Sequence, residues 1–306
     1  MGDQGSKRNS PWIRTAVIFL AVIFLVLPAA NAIGYEVIFH WGFRDGTSED
    51  IPETADRKVL FPDGYGHELA GFFYGEHNPD PLALVVFAHG ISSNHLEYAD
   101  LIRRLLSEGY AVFAYDASGY GASGRGGSGG LPHGVRDMRA ALDYVKSLEA
   151  FRDVPVVVSG HSYGAYAAGA ALESLEDADL AVLVAPFNAS TDMMQQGAER
   201  YLGSLVSLMM PYVKLYEGIK YGADSARTVV DGLVNSRTRT LILFGAQDDS
   251  ISPEYGFILF EDALSGSDLI TIQTLQDSTH RMDKQMIEEI LSFINQNILM
   301  LRQEAS

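Results

Sequence analysis

Val156-Val157-Val158-Ser159-Gly160-His161-Ser162-Tyr163-Gly164 is the stretch on which the fold turns. An apolar, β-branched run leads into a Gly-x-Ser-x-Gly bend, and the small-residue stretch 165–172 follows it. This pattern predicts a buried strand, a bend too tight for most side chains, and then a helix, with one serine at the turn. Glycines two residues before and two after Ser162 let the backbone double back without Cβ clashes. The helix start turns its positive end toward the serine. A bare Gly-x-Ser-x-Gly arises by chance in about one chain in ten of this length, taking Gly and Ser at roughly 7% each. The flanking strand and helix give the motif its meaning: a hydroxyl held at a strained, exposed position beside a base.

The same alternation extends in both directions. Residues 84–88, 110–115, 181–184, 240–244 and 269–274 read as further strands, and 98–106, 135–148 and 286–301 carry helical spacing. Continuous apolar strands alternating with helices predict a mostly parallel, doubly wound sheet covered on both faces. Before it, 59–61 and 68–74 flank Pro62-Asp63-Gly64 and predict a hairpin. The glycine-rich stretch 119–130 lacks the G-K-[ST] ending of a phosphate loop and reads as a connection. One segment breaks the rhythm, because about 50 residues separate 184 from 240, against the usual two to six. Within it 198–216 and 225–234 read as helices, so residues 187–238 are expected to form a small helical cap over the carboxyl edge of the sheet. Leu202, Leu205, Leu208, Met210, Tyr212 and Tyr216 are expected to seal it, with some lining a pocket.

Composition narrows the function. The 306 residues suffice for one large core, and 47% hydrophobic with 20% charged residues is ordinary for a globular enzyme. A net charge of −17 without Lys/Arg clusters argues against nucleic acid. The chain has no cysteine, which rules out disulfides, thiolate catalysis and Cys-zinc sites.

The N-terminus is directed at a membrane. Lys7, Arg8 and Arg14 precede an uncharged stretch, 15–35, whose apolar heart is 16–27. About 21 residues suffice to cross a bilayer core of roughly 30 Å. The segment also ends in Pro28-Ala29-Ala30-Asn31-Ala32, an A-x-A-like cleavage site. Residues 1–35 are thus a signal-anchor or a signal peptide, and the continued apolarity of 33–41 favours the anchor. With the positive charges first, the following residues lie outside the cytoplasm, either membrane-anchored or, after cleavage, secreted. Residues 36–56 are expected to be a linker and 57–300 the catalytic domain.

A serine nucleophile needs a base, an acid to orient it, and donors for an oxyanion. Of eight histidines only His280 follows Ser162, and it falls between the last strand and the last helix. His161 neighbours the nucleophile on the wrong side of the turn to act as base. Asp248 and Asp249 directly follow the strand at 240–244; Asp248, three residues past Gly245, is preferred, and Asp192 is a substitute. The oxyanion donors are expected to be the backbone amides of Tyr163 and of Ile91, the latter in the loop His89-Gly90-Ile91 after the first parallel strand. His89 is expected to hold that loop.

These pieces resemble the α/β-hydrolase superfamily, in particular its lipase and serine-aminopeptidase-like branch with a helical cap. The resemblance rests on His89-Gly90, the stretch Asp116-Ala117-Ser118-Gly119-Tyr120-Gly121-Ala122-Ser123-Gly124, Gly160 to Gly164, Gly245-Ala246-Gln247-Asp248, and His280, in the order Ser, Asp, His. It implies the α/β-hydrolase fold and acyl transfer at serine, with no metal or organic cofactor. Ala117-Ser118 departs from relatives that carry an aromatic residue and Arg after the aspartate, which puts a structural ion pair in doubt. The expected activity is cleavage of carboxylic esters of small acyl substrates, with the apolar cap and membrane segment pointing to lipophilic or lipid esters. An exopeptidase or amidase of the same fold is the near rival and would aim a carboxylate such as Asp192 or Glu199 at a substrate amine. A non-catalytic, membrane-tethered binding module is the rival of another class. Asn188-Ala189-Ser190 is a glycosylation sequon.

Overall fold

The structure, a computed structural model, describes residues 11–42, 55–123 and 129–304. Lys7 and Arg8, linker residues 43–54, and 124–128 of the glycine-rich connection lie outside the described residues. Eight strands form one sheet: β1 (Arg57–Pro62), β2 (Glu68–Tyr74), β3 (Leu84–Ala88), β4 (Ala111–Asp116), β5 (Val156–His161), β6 (Leu180–Val184), β7 (Arg239–Gly245) and β8 (Ile270–Leu275). Their order is β1-β2-β4-β3-β5-β6-β7-β8. The β1–β2 hairpin joins β4 antiparallel, and every pairing from β4 to β8 is parallel. Because the chain leaves β3 to one side for β4 and returns to its other side for β5, loops diverge at the carboxyl ends of the central strands. Open α/β sheets bind ligands there.

Strand side chains alternate between two cores, as period-two geometry requires. On β5, Val156 and Val158 face one core while Val157 faces the other; on β4, Phe113 and Tyr115 oppose Val112 and Ala114. Helices α2 (Ala99–Ser107) and α9 (Lys284–Glu304) cover one face. Helices α3 (His133–Ser147), α4 (Tyr163–Ala171), α7 (Val229–Asn235) and α8 (Phe257–Leu264) cover the other. All nine residues of α4 are buried, which explains its alanine and glycine content: small side chains let the helix lie close on the sheet. This is the α/β-hydrolase fold anticipated above.

The cap departs from expectation in detail. The single helix expected over 198–216 is two, α5 (Ser190–Leu202) and α6 (Val206–Tyr221), parted at Gly203, whose φ of 53° suits glycine. The helix expected from 225 begins at Val229, because the Thr228 hydroxyl caps it by accepting the Asp231 amide at 3.0 Å. Helix α8 was not anticipated.

The N-terminal segment is one helix, α1 (Pro11–His40), of 30 residues, long and apolar enough to cross a membrane. It does not end at 35, where a linker was expected to follow, but runs on against the cap. Asn31, Tyr35 and Phe39 are buried there. Tyr35 Oη donates to Glu217 Oε1 at 2.8 Å, Tyr216 Oη donates to Glu36 at 2.6 Å, and Lys220 pairs with Glu36.

Candidate active site

Three strands end in strained backbone at the same edge of the sheet. Ser92 beyond β3, Ser162 after β5 and Ala185 after β6 have φ of 55°, 53° and 49°, a region that costs non-glycine residues of order 1–3 kcal/mol each. At Ser162 the strain is held in place by two close approaches. A Cβ on Gly160 would stand 2.3 Å from the Gly164 carbonyl carbon, and one on Gly164 would stand 2.1 Å from the Ala88 oxygen. The glycines therefore do two things: they permit the bend, and they press the first turn of α4 onto the end of β3. This brings the Tyr163 end of the helix beside the loop that carries Ile91. The Ser162 amide is tied to the Val184 carbonyl at 2.8 Å.

The candidate base and acid arrive together. His280 Nε2 lies 3.0 Å from Ser162 Oγ, and His280 Nδ1 lies 2.7 Å from Asp248 Oδ2. Their two loops are joined side by side: the Gln247 amide donates to the Ser278 carbonyl at 3.0 Å, and the Ala246 amide to Leu275 at 2.9 Å. Gly245 makes that closeness possible, since a Cβ would meet the Thr279 and Ser278 oxygens at 2.3 and 2.4 Å. Asp248 Oδ1 accepts the amides of Ser250 and Ile251 at 2.8 and 3.1 Å. Burial pushes the Asp248 carboxyl up, but the His280 hydrogen bond and charge, helped by those two amides, outweigh it and hold the group below the usual carboxylate range. An ionised Asp248 fixes the hydrogen on His280 Nδ1 and leaves Nε2 free to accept from the serine. Asp249 turns elsewhere, accepting the Ser250 hydroxyl at 3.3 Å, while Arg200 of α5 reaches its carbonyl. Gln196, also on α5, bonds the Ser250 carbonyl and the Ser252 amide and so braces the acid loop from the cap.

The sequence reading missed a chain of hydrogen bonds behind His280. The Gly90 amide donates to Tyr98 Oη at 2.9 Å, Tyr98 Oη donates to His161 Nδ1 at 2.8 Å, and His161 Nε2 donates to the His280 carbonyl at 2.7 Å. The carbonyl can only accept, which fixes the His161 tautomer and the direction of the whole chain. Burial, followed by the charge of His280, pushes His161 down to about 4, so its ring is neutral at neutral pH. His161 thus links the loop at Gly90 to the backbone of His280. Its position beside Ser162 was visible in the sequence; its partner Tyr98 carried no signal. His89 behaves as anticipated: its Nε2 accepts the Ala117 amide at 2.9 Å and its Nδ1 donates to the Gly90 carbonyl at 2.7 Å. The Asp116 carboxylate, left without an arginine by Ala117-Ser118, is hydrogen-bonded from another place. Asp116 accepts both the amide and Nδ1 of His95, at 3.0 and 2.7 Å, and His95 stacks on Phe72.

Asp63, His133 and Asp137 form a buried cluster of possible metal-ligating groups at the other end of α3 from its carboxyl cap. Both carboxylates are engaged: Asp137 accepts the amide and hydroxyl of Ser118 at 2.7 and 2.9 Å, and Asp63 accepts the Tyr65 and His67 amides, while His133 Nε2 lies 3.4 Å from Asp63. The cluster reads as a structural pin for the loop after β4.

Comparison with known proteins agrees with the architecture. Residues 79–236, slightly over half of the chain, match the family described as serine aminopeptidase, S33. Among curated proteins none matches. Among solved structures, the Pyrococcus furiosus esterase Pf2001 superposes with a TM-score of 0.63 at 18% identity, over 83% of this chain and 95% of its own. An acetyl xylan esterase from Paenibacillus sp. R4 gives 0.59 at 22% identity, over 82% of this chain and 87% of its own. The Pyrococcus horikoshii acylaminoacyl peptidase gives 0.58 at 13%, over 79% of this chain and 41% of its own. At these identities the likeness to solved structures speaks for the fold. The family match, together with the strand–bend–helix at Ser162 and the sheet order, makes the chain a hydrolase that belongs to the serine aminopeptidase S33 family of the α/β-hydrolase superfamily.

Proposed function

We propose that the chain is a membrane-anchored serine esterase acting on lipophilic acyl esters, with Ser162 as nucleophile, His280 as general base and Asp248 as its orienting acid. The observation that carries this reading is the unbroken contact from Asp248 through His280 to Ser162, at 2.7 and 3.0 Å. His280 takes the hydroxyl proton as Ser162 Oγ attacks the acyl carbon, and the oxyanion forms against the Tyr163 and Ile91 amides. His280 then protonates the leaving alcohol, and water repeats the sequence on the acyl-enzyme to release the acid. Losing one oxyanion donor in such a site typically costs about 3 kcal/mol.

Four features support the finer parts. The esterase neighbours favour an ester bond. The membrane-directed helix α1 and the exposed leucines of the cap favour a lipophilic acyl group. Burial of Tyr35 and Phe39 against the domain favours retention of α1 as an anchor, with residues 57–300 as the hydrolase domain and 187–238 as its cap. The basic residues before α1 favour a domain on the non-cytoplasmic side.

The family match and the peptidase neighbour favour one second reading, an exopeptidase. It needs a fixed anion for the substrate amine, for which Asp192 and Glu199 on α5 are the candidates. A fluorophosphonate probe tests the nucleophile: wild-type chain labels and Ser162→Ala does not, whereas a binding module would never label. p-Nitrophenyl esters of increasing chain length beside aminoacyl amides test the bond, with turnover of long-chain esters expected and turnover of amides alone refuting the ester reading.

A further inference from the structure

Helix α6 is apolar on both sides. Its inward positions Val206, Met210, Val213 and Tyr221 are buried in the cap with Glu217. At 3.6 residues per turn the opposite side carries Leu208, Tyr212, Leu215 and Ile219, with Leu205 just ahead of the helix. Leu205, Leu208, Leu215 and Ile219 are 55 to 76% exposed, and no charged residue occurs from Tyr201 to Val213. A surface helix of a water-soluble domain presents charge on its outer side; this one presents leucine.

Its orientation relative to α1 indicates what covers that side. Asn31 Nδ2 reaches the Met209 carbonyl at 3.4 Å, Tyr35 reaches Glu217, and Glu36 reaches Tyr216 and Lys220. Residue numbers rise together, so the two helices run parallel and side by side. The start of α6 therefore points toward the apolar heart of α1. Leu205 precedes Met209 by as many residues as Leu27 precedes Asn31, about 6 Å along each axis. The exposed corner at Tyr201, Leu202 and Leu205, and the stripe that follows, therefore begin beside the exposed apolar residues of α1, with only the small Ser204 and Ser207 as polar side chains between 201 and 208.

We propose that the outer side of α6 and the corner 201–205 lie in the lipid of the leaflet on the domain's side, so that the cap is a second membrane contact beside the anchor. The partner is a bilayer of neutral phospholipid, since a net charge of −17 disfavours an anionic surface. This inference rests on the reading of α1 as a membrane anchor. If it holds, an acyl ester can pass from the leaflet to the cap without crossing water.

The absence of cysteine gives a clean test. Single substitutions Leu208→Cys, Phe24→Cys in α1, and Glu261→Cys on α8 are labelled with nitrobenzoxadiazole in the full chain, reconstituted in phosphatidylcholine vesicles. Nitroxide carried on the lipid chains then reports contact. The expected result is blue-shifted emission and comparable loss of fluorescence at 208 and 24, with neither at 261. Quenching at 24 but not at 208 overturns the cap contact and leaves the anchor standing. A blue shift at 208 without lipid quenching means that protein, such as a second copy of the chain, covers the stripe, and also overturns it. No quenching at 24 refutes the anchor itself.

Discussion

Acidification should loosen this protein through one buried ring. His161 is neutral in the folded chain because burial and the neighbouring His280 push it from an ordinary 6.5 down to about 4. In the unfolded chain the same ring takes its proton near 6.5. The folded-state value is the depressed one, so the ring's contribution to stability is fully present above pH 6.5 and is lost as pH falls toward 4. At 1.36 kcal/mol per unit the full effect is about 3 kcal/mol, and about 2 kcal/mol of it should be gone by pH 5. Urea unfolding of the full chain in detergent micelles, followed by circular dichroism at pH 7 and pH 5, measures it. The control is His161→Gln, whose amide can still donate toward the His280 carbonyl but does not titrate. Wild type should lose about 2 kcal/mol more than the variant over that interval. Equal losses would show that His161 is not held neutral by its surroundings, and the hydrogen-bonded chain from Gly90 to His280 would have to be drawn differently.

Other expected outcomes are more direct. Ser162→Ala should lower kcat on p-nitrophenyl esters on the order of 10^6-fold while leaving the unfolding midpoint nearly unchanged. Asp248→Asn should cost roughly 10^4-fold in kcat, because the wrong tautomer of His280 then faces the serine, and KM should barely move. Gly164→Ala places a Cβ 2.1 Å from the Ala88 oxygen, so the variant should be destabilised by about 3 kcal/mol or fail to accumulate, read by urea midpoint or soluble yield. Tyr35→Phe removes a 2.8 Å bond to the buried Glu217 and should destabilise the joint between α1 and the cap by about 1–3 kcal/mol, seen as faster limited proteolysis within 190–221.

The central architecture was readable because parallel strands buried on both faces leave a continuous apolar signature, and 84–88, 156–159 and 181–184 each carry one. The bend at Ser162 was readable for the same kind of reason: glycine at both flanks serves a backbone need that no other residue meets. His280 and Asp248 stood out by position, since each follows a strand late in the chain. What stayed hidden depends on contacts between distant segments. The break at Gly203 was masked by apolar residues on either side of it. Tyr98 looks like any aromatic at a helix start until the fold sets it against His161. His95 replaces a missing arginine from twenty-one residues upstream, a substitution of place that composition cannot reveal. The end of α1 was misjudged because Glu36 reads as the polar edge of a membrane segment. Its charge is instead met by Lys220 and Tyr216.

The joint between α1 and the cap distinguishes a mast from a leash. A protein held by a loose tail drifts and rolls above its support, presenting every side in turn. Here the last turns of the rod are clasped by Tyr216, Glu217 and Lys220, so a body carried on the proposed anchor keeps one bearing relative to it. With α1 as the proposed anchor, the set of the cap follows the tilt of its stem.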